Sequence, residues 1–519
     1  MKKSLFLFIL LPFVAFTQQM DMDLVPYKSS FSYFFQPQEQ SYSLDTINTG
    51  YSILQYHSFS SKGQFIKVNH QQFVTDYILF NINFDKFSQE GIFNRENLKL
   101  HNVNTNLLFN NKSQTYSAQL SLAYQKISSD ENGGLLSYAT TNIDDPLLYQ
   151  VNLLNAQNEA KNRNHKLVQK FKLTDKWSII NKFSILSHRK MYSDQLPNTG
   201  FYQNIYLDST LTYDSLSTIA LTNSFGVTYN DFTLSQLIHH RHAHINTIDS
   251  SDYDYGLSLN YYNDKKGLRF SSELYQSVDL CLLLKKDFNF KLSNHTLSLD
   301  FDRSRVPILI NSYYSNHFRF NNDFNNIKTA NATYVVKHKN YSFKSSLTHY
   351  SDYLYLDGNS HYQQYQNAII NWYNKWVVNL NWKKIHTTQS LEYQYTNNIS
   401  IMRFPEFNYT TSLWLESNLF SDNLNTQIGA DMNYFTSYYA KAYNPALAQF
   451  HLQDSQLIGD VPLLSAFIKL KANNMTIKMR FRNITSFNNA NAYYLIPNYP
   501  NYPATFQLSV LWKLNNTSN

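Results

Sequence analysis

The sequence predicts an all-β protein, a single antiparallel transmembrane β-barrel preceded by a signal peptide. Apolar and polar residues alternate with period two along most of the chain, the pattern of half-buried β-strands. No stretch beyond the N-terminus reaches about 18 continuous apolar residues, so no transmembrane helix is expected. The 519 residues are rich in aromatic residues (16%) and poor in charged residues (16%). A mean hydropathy of −0.44 suits a barrel, because lipid-facing and lumen-facing residues alternate and cancel.

The composition excludes several other classes of protein. The single cysteine, Cys281, excludes a disulfide scaffold, a cysteine-rich metal fold and a lipoprotein anchored just after its signal. Twelve glycines and twelve prolines are too few for a collagen-like or a Pro/Gly-rich disordered chain. The formal net charge of +7 comes without a dense basic stripe, so no nucleic-acid partner is expected.

Residues 1–17 have the features of a secretory signal peptide. Lys2 and Lys3 precede an apolar run from Leu5 to Phe16, and the small residues Ala15 and Thr17 lie at −3 and −1 of a cleavage position before Gln18. The run is too short to span a membrane as a helix. We therefore expect an exported protein, with residues 18–70 forming an N-terminal periplasmic or plug-like segment.

Residues 71–514 are predicted to form the barrel. Several alternating segments extend over about 9–11 residues, the length of a tilted membrane-spanning strand. In three of them the apolar face has aromatic residues at both ends and aliphatic residues between: Tyr116–Tyr124, Tyr253–Tyr261 and Trp376–Trp382. Aromatic rings favour the two membrane interfaces, whereas the core of a soluble sandwich gives no reason for them at both strand ends. A barrel is therefore favoured over a sandwich.

Short and long connections alternate toward the C-terminus. Asn473-Asn474 suits a two-residue hairpin because Asn tolerates positive φ, and long polar stretches at 436–462 and 483–504 flank it. In outer-membrane barrels the short turns lie in the periplasm. At about 30 residues per strand and connection, roughly 500 mature residues give about 16 strands, within a range of 14–18. Residues 515–519 are expected to form a short tail.

Five sets of loop and strand motifs resemble those of one known family. The first two sets are Ser129–Leu135, which contains Asn-Gly-Gly, and Arg403–Phe407. The third is a block made of Gly429–Asp431, Tyr434–Thr436 and Ala442–Pro445. The last two are Ile458–Pro462 and Pro497–Pro500. Together they resemble the "putative porin" family of Bacteroidetes outer-membrane proteins, across most of the mature chain. The final strand departs from the usual C-terminal signal, since it ends at Leu514 and not at an aromatic residue. The resemblance implies an outer-membrane location and a porin-like role.

The sequence offers three groups of candidate site residues. His240, His242 and His244 would share one face of a strand and are a weak candidate for a metal site. The alternative interpretation is that they belong to a polar lumen surface or to the edge of a loop. Asp300 and Asp302 alternate with apolar residues and are interpreted as pore-lining carboxylates. A basic sector is also predicted to line one wall of the pore: Lys469, Lys471, Lys478, Arg480 and Arg482.

The expected function is a passive outer-membrane channel for small hydrophilic solutes, with a mild anion preference. No enzyme activity and no cofactor are expected, and no Gly-x-Ser-x-Gly motif occurs. The expected partners are outer-membrane lipid and lipopolysaccharide, the barrel-assembly machinery and the solutes. The alternatives are a non-transporting surface-binding protein and a plugless substrate-specific transporter. A TonB-type receptor is disfavoured, because the segment before the first clear strand is short for a plug.

Overall fold

The computed structural model describes residues 50–59, 62–136, 146–263, 267–277, 282–487 and 494–515. The expected signal peptide, the segment 18–49 and residues 516–519 of the expected tail lie outside these residues. In the part of the chain that is described, no helix is long and apolar enough to cross a membrane.

One closed antiparallel sheet of 22 strands dominates the structure. Each strand pairs with the next along the chain, and the first pairs with the last, from Tyr51 with Asn515 to Ser58 with Leu508. The barrel strands β1 to β22 are, in order, Tyr51–Phe59, Gly63–Thr75, Ile78–Gln89, Leu98–Asn110, Tyr116–Asp130, Gln157–Lys172, Trp177–Gln195, Leu211–Tyr229, Phe232–Ile245, Ile248–Asn263, Leu268–Ser277, Leu282–Leu292, His295–Ser304, Ile327–Lys337, Tyr341–Ser351, Ile369–Trp382, Ile385–Thr396, Phe407–Leu419, Leu424–Phe435, Leu463–Ala472, Met475–Arg482 and Thr505–Asn515.

The strand number corrects the expected 14–18. Between Tyr51 and Asn515, 22 strands share 465 residues, about 21 residues for each strand and its connection. The expected value of about 30 was too large, because every second connection is a turn of only two to five residues. Such turns fit antiparallel neighbours, which a two-residue hairpin joins.

The barrel also begins before the expected boundary at residue 71, which lies inside β2. Strand β1 starts at Tyr51, and both β1 and β2 belong to the closed sheet. The sequence signal is weak here because β2 has polar residues on both faces. Lys67 and Asn69 lie on one face, and His70 and Gln72 lie on the other.

The two ends of the barrel differ in their connections. The end that carries the short turns and the start of β1 is here called the turn end, and the opposite end the loop end. Asn473 takes the left-handed conformation at a turn-end hairpin (φ 46°), and Ala472 pairs with Met475 directly after it. This confirms the predicted two-residue turn. Most connections at the loop end are longer, and four of them contain short β-hairpins of their own.

The alternation of exposure along the strands separates an outer face from a lumen face. On β10, Leu257 is 58% exposed and its neighbour Ser258 only 2%. The three segments with aromatic residues at both ends all present that face outward. The lumen face is mostly polar, and near β2–β5 it holds a network of amides in which Asn83 donates to Asn81 at 2.8 Å. An apolar exterior around a polar interior is the arrangement of a membrane barrel.

Candidate functional site

The connection between β19 and β20, residues 436–462, crosses the lumen and is here called the crossing loop. It contains a hairpin of Ala442–Asn444 with Gln449–His451. At the hairpin tip, the Asn158 side-chain amide donates to the Pro445 carbonyl at 2.7 Å. The Lys190 ammonium donates to the Ala446 carbonyl at 2.9 Å. Asn158 and Lys190 lie on β6 and β7, eight or more strand positions from β19 and β20 in the ring of 22, so the loop reaches the opposite wall.

The crossing loop also packs against apolar side chains of the barrel wall. Tyr443 and Ala448 belong to one buried cluster with Phe87 of β3 and Ile127 of β5. The other members of that cluster are Phe59, Leu100, Ala160, Ile496 and Tyr499. Burial of apolar area is the main favourable contribution to such contacts. The loop is therefore held by packing as well as by hydrogen bonds.

A buried carboxylate links the loop tip to the wall. Glu131 follows β5 directly and is fully buried. It accepts a hydrogen bond from the Asn158 amide at 3.1 Å and a longer one from the Tyr443 hydroxyl at 3.4 Å. Burial raises the pKa of the Tyr443 phenol well above its usual value, and the charge of Glu131 raises it further. Tyr443 therefore stays a neutral hydrogen-bond donor.

A second cation, Lys441, lies inside the crossing loop itself. Its side chain is buried. Burial, and to a smaller extent the nearby charge of Arg403, together lower the pKa of Lys441 to about 8. Arg403, in the β17–β18 connection, forms an ion pair with Asp454 of the crossing loop at 2.7 Å. The loop is thus attached on its own side of the barrel as well as on the far side.

Six loop-end connections surround a cavity of about 360 Å³. They follow β5, β7, β13, β15, β19 and β21. None of the described lining residues is Asp, Glu, Lys or Arg. The lining combines aromatic rings, side-chain amides and histidines: Phe201, Tyr202, Phe318, Tyr443 and Tyr499, then Gln203, Asn204, Asn359, Asn444, Gln453 and Asn498, then His317, His361 and His451.

Two histidines of this cavity, His317 and His451, are held in neutral forms. The His317 ring stacks on Tyr202 with centroids 3.7 Å apart. Its Nδ1 donates to the Asn204 carbonyl at 3.0 Å, and its Nε2 accepts from the Thr212 hydroxyl at 2.8 Å. Burial lowers the pKa of both His317 and His451. The described lining is therefore polar without any Asp, Glu, Lys or Arg side chain, and suits solutes that hydrogen-bond without carrying a net charge.

The histidines singled out from the sequence lie elsewhere. His240, His242 and His244 share one face of β9, as their spacing predicts, but that face is the outer one. His242 bonds to Ser251 at 2.9 Å and lies 3.1 Å from Asp249. Among the described residues, no group of three His, Cys, Asp or Glu side chains could hold a metal ion.

The five cations of the predicted basic sector point into the lumen from β20 and β21. Lys469 and Lys478 are direct register partners, and the Lys478 ammonium lies 4.5 Å above the Phe467 ring. Arg480 forms an ion pair with Asp431 of β19. Sequence reasoning missed Asp431, although it alternates with Ala430 and Met432 on the same strand and thereby takes the lumen face.

Asp300 and Asp302 also lie on the lumen face, but far from the basic sector. They belong to β13, seven strand positions from β20. Asp300 accepts a hydrogen bond from the Asn331 amide at 3.0 Å. The carboxylate that neutralises part of the basic sector is therefore Asp431.

Comparisons with known proteins agree with this architecture. A family model described as "Putative porin" matches residues 12–516. No curated protein sequence matches the chain. The solved structures that resemble it include the FrpB iron transporter from Neisseria meningitidis (F5-1 variant), with a TM-score of 0.59, 10% identity and coverage of 90% of this chain and 83% of that one. A mutant form of the ferric enterobactin receptor PfeA from Pseudomonas aeruginosa has a TM-score of 0.60 and 10% identity, with coverage of 90% of this chain and 80% of that one. The ferric preacinetobactin receptor BauA from Acinetobacter baumannii has a TM-score of 0.55 and 11% identity, with coverage of 90% of this chain and 80% of that one.

At such low identity these structures show the fold alone. With the family match, they identify an outer-membrane β-barrel of a Gram-negative bacterium.

Proposed function

Because the chain belongs to the putative porin family, we propose that it is a substrate-selective outer-membrane channel. Small hydrophilic solutes cross its polar lumen, and the crossing loop restricts their passage at the loop end. The observation that carries this proposal is the attachment of the loop to the opposite wall, where Asn158 and Lys190 donate to its tip. An open diffusion pore needs no such attachment.

Under this proposal the turn end faces the periplasm and the loop end faces the cell surface. The even strand number and the short turns support this orientation, since outer-membrane barrels have short periplasmic turns and long surface loops. A tag inserted between Asn473 and Asn474 is then hidden from a membrane-impermeant label on intact cells. A tag at Asp357–Asn359, in the exposed tip of the β15–β16 connection, is labelled. The reverse pattern would contradict the orientation.

The cavity at the loop end supports selection for uncharged polar solutes. Rings such as Phe201 and Phe318 present flat apolar surfaces, and amides such as Asn359 and Asn444 supply donors and acceptors. Polyhydroxylated rings, as in short oligosaccharides, combine an apolar face with a polar rim and match both. Two of the structurally similar proteins are named as receptors for ferric enterobactin and ferric preacinetobactin, whereas a cavity without Asp, Glu, Lys or Arg in its described lining favours a neutral solute.

Single-channel recording in planar bilayers tests the proposal. Replacing residues 442–451 by a Gly/Ser segment of equal length removes the hairpin of the crossing loop. We expect a several-fold larger conductance than in the unchanged protein. A Gly/Ser replacement of the turn-end residues 420–423 is the matched control and should leave conductance unchanged. Equal conductance with and without the hairpin would contradict the role of the crossing loop.

The same recordings examine the second candidate, a surface-binding barrel that transports nothing. The buried attachment of the loop is the observation that favours it. A crossing loop that stays bound to the opposite wall, here called the seated loop, needs no open state if nothing is transported. Absence of current from both the unchanged protein and the hairpin replacement, in barrels shown to be folded and inserted, would support it against the channel.

A further inference from the structure

A row of basic residues lies side by side on five neighbouring strands, β3 to β7. We call it the outer basic row. Each member is the direct register partner of the next: Lys86, His101, Lys126, Lys161 and Arg189. Two further cations, Lys99 and Arg163, lie two residues from the row on β4 and β6.

All these side chains point away from the lumen. Their sequence neighbours Phe87, Asn102, Ile127, Asn162 and Lys190 are buried on the lumen face. Because successive side chains in a strand point to opposite faces, the row lies on the outside of the barrel. Lys86, Lys99, His101, Arg163 and Arg189 are exposed there.

The row carries a large uncompensated positive charge. Glu159 bridges Lys126 at 2.8 Å and Lys161 at 2.7 Å. In the described structure no carboxylate contacts the other four Lys and Arg side chains. Asp130 lies further toward the loop end and is paired with Arg95 at 3.6 Å. Cross-strand neighbours lie about 4.5–5.5 Å apart, and like charges at that distance are destabilising. An external anion would relieve this repulsion.

The height of the row on the barrel indicates which kind of anion binds there. Tyr124, the loop-end ring of the aromatic face on β5, pairs directly with Arg163. Lys126 lies two residues beyond, about 6.6 Å further along the strand. Aromatic residues mark the interface between hydrocarbon and headgroups, so Arg163 and Lys126 lie at the level of the lipid headgroups. Below them, Leu120 and Leu122 face the acyl chains.

We propose that the outer basic row binds the phosphate groups of an anionic lipid headgroup, a phosphorylated glycolipid in the cell-surface leaflet. Lys and Arg ammonium and guanidinium groups form strong charge-assisted hydrogen bonds with phosphate. Five adjacent strands present them over one continuous outer surface, with an aliphatic surface directly beneath for the acyl chains. This site is independent of solute passage, although the choice of leaflet rests on the proposed orientation of the barrel.

Native mass spectrometry of the detergent-purified barrel, with lipopolysaccharide added, tests the site. Lys86→Gln with Arg189→Gln removes two exposed cations that no carboxylate contacts in the described structure. We expect about tenfold less retained lipopolysaccharide. Lys62→Gln with Lys328→Gln is the matched control, since both are loop-end cations outside the row and each already contacts a carboxylate, Glu90 and Asp352. Equal retention in the row variant and the control would overturn the proposal.

Three further measurements separate lipid binding from folding defects and from binding of soluble anions. Lys86→Arg with Arg189→Lys preserves the charge and should retain lipopolysaccharide like the unchanged protein. Retention should also fall in the unchanged protein between about 50 and 500 mM salt, because exposed charges are screened. Inorganic phosphate at millimolar concentration should not displace the lipid. Full displacement would identify a site for soluble anions and would overturn the lipid assignment.

Discussion

Lys190 and Ala446 are 256 positions apart in the chain, yet the Lys190 ammonium donates to the Ala446 carbonyl at 2.9 Å in a buried site. The lysine belongs to the barrel wall and the carbonyl to the tip of the crossing loop. A hydrogen bond to a charged group contributes about 1.5–3 kcal/mol. A buried ammonium without a partner is costly. The contact therefore couples the position of the loop to the wall that it touches.

Loss of this contact is expected to free the loop tip. Lys190→Met keeps the length of the side chain but removes the donor and leaves the Ala446 carbonyl without it. We expect the seated loop to lose about 1.5–3 kcal/mol and brief high-conductance openings to become more frequent. Lys182→Met, on the lumen face of the same strand and away from the loop tip, is the control. Identical opening frequencies in the two variants would show that Lys190 does not hold the loop.

The buried Lys441 predicts that the equilibrium between the seated and the released crossing loop depends on pH. Its pKa is lowered to about 8 in the seated loop and returns toward about 10.4 when the side chain is solvated. Between these values the released loop binds more protons than the seated loop, so the seated state gains stability as pH rises from about 8 to about 10. Conductance should therefore decrease over that range.

Lys441→Met provides the comparison for the pH effect. The variant lacks the Lys441 ammonium but keeps Lys190, so the part of the conductance change that arises from Lys441 should disappear over the same pH range. A matching decrease in the variant would assign the effect to another group. A rise in conductance of the unchanged protein would contradict the sign of the argument.

The assignment of the two barrel faces predicts opposite responses at neighbouring positions. Leu380 is 53% exposed on the outer face of β16, and Asn379 accepts a hydrogen bond from Thr388 at 2.8 Å on the lumen face. Leu380→Arg should destabilise the folded barrel, because it puts a charge on the lipid-facing surface, and Asn379→Arg should cost much less. Folding titrations into lipid vesicles measure both. Similar losses at both positions would mean that the faces are wrongly assigned.

Local patterns predicted the faces and the tight turns because each depends on adjacent residues. The aromatic ends of Tyr116–Tyr124 and the Asn473-Asn474 hairpin are examples. Period two cannot tell which face points outward when both are polar, which is why the outer position of His240 was not foreseen. The crossing loop was also beyond reach, because contacts such as Tyr443 with Glu131 join residues 312 positions apart.

The basic sector of β20 and β21 predicts a modest anion preference, since cations that line a pore lower the barrier to anions. Lys469 and Lys471 face the lumen, and no carboxylate contacts either of them in the described structure. Lys469→Gln with Lys471→Gln should shift the reversal potential in a KCl gradient toward cation selectivity. The preference of the unchanged protein should weaken at high salt, where the Debye length falls to about 3 Å.

The ion pair of Arg480 with Asp431 supplies a control of equal size. Arg480→Gln with Asp431→Asn also removes two charges, but these neutralise each other, so the reversal potential should stay within error of the unchanged protein. If both double variants shift the potential equally, local structure and not wall charge sets the selectivity. Clear cation selectivity of the unchanged protein would mean that lumen carboxylates such as Asp300 and Asp302 dominate over the basic sector.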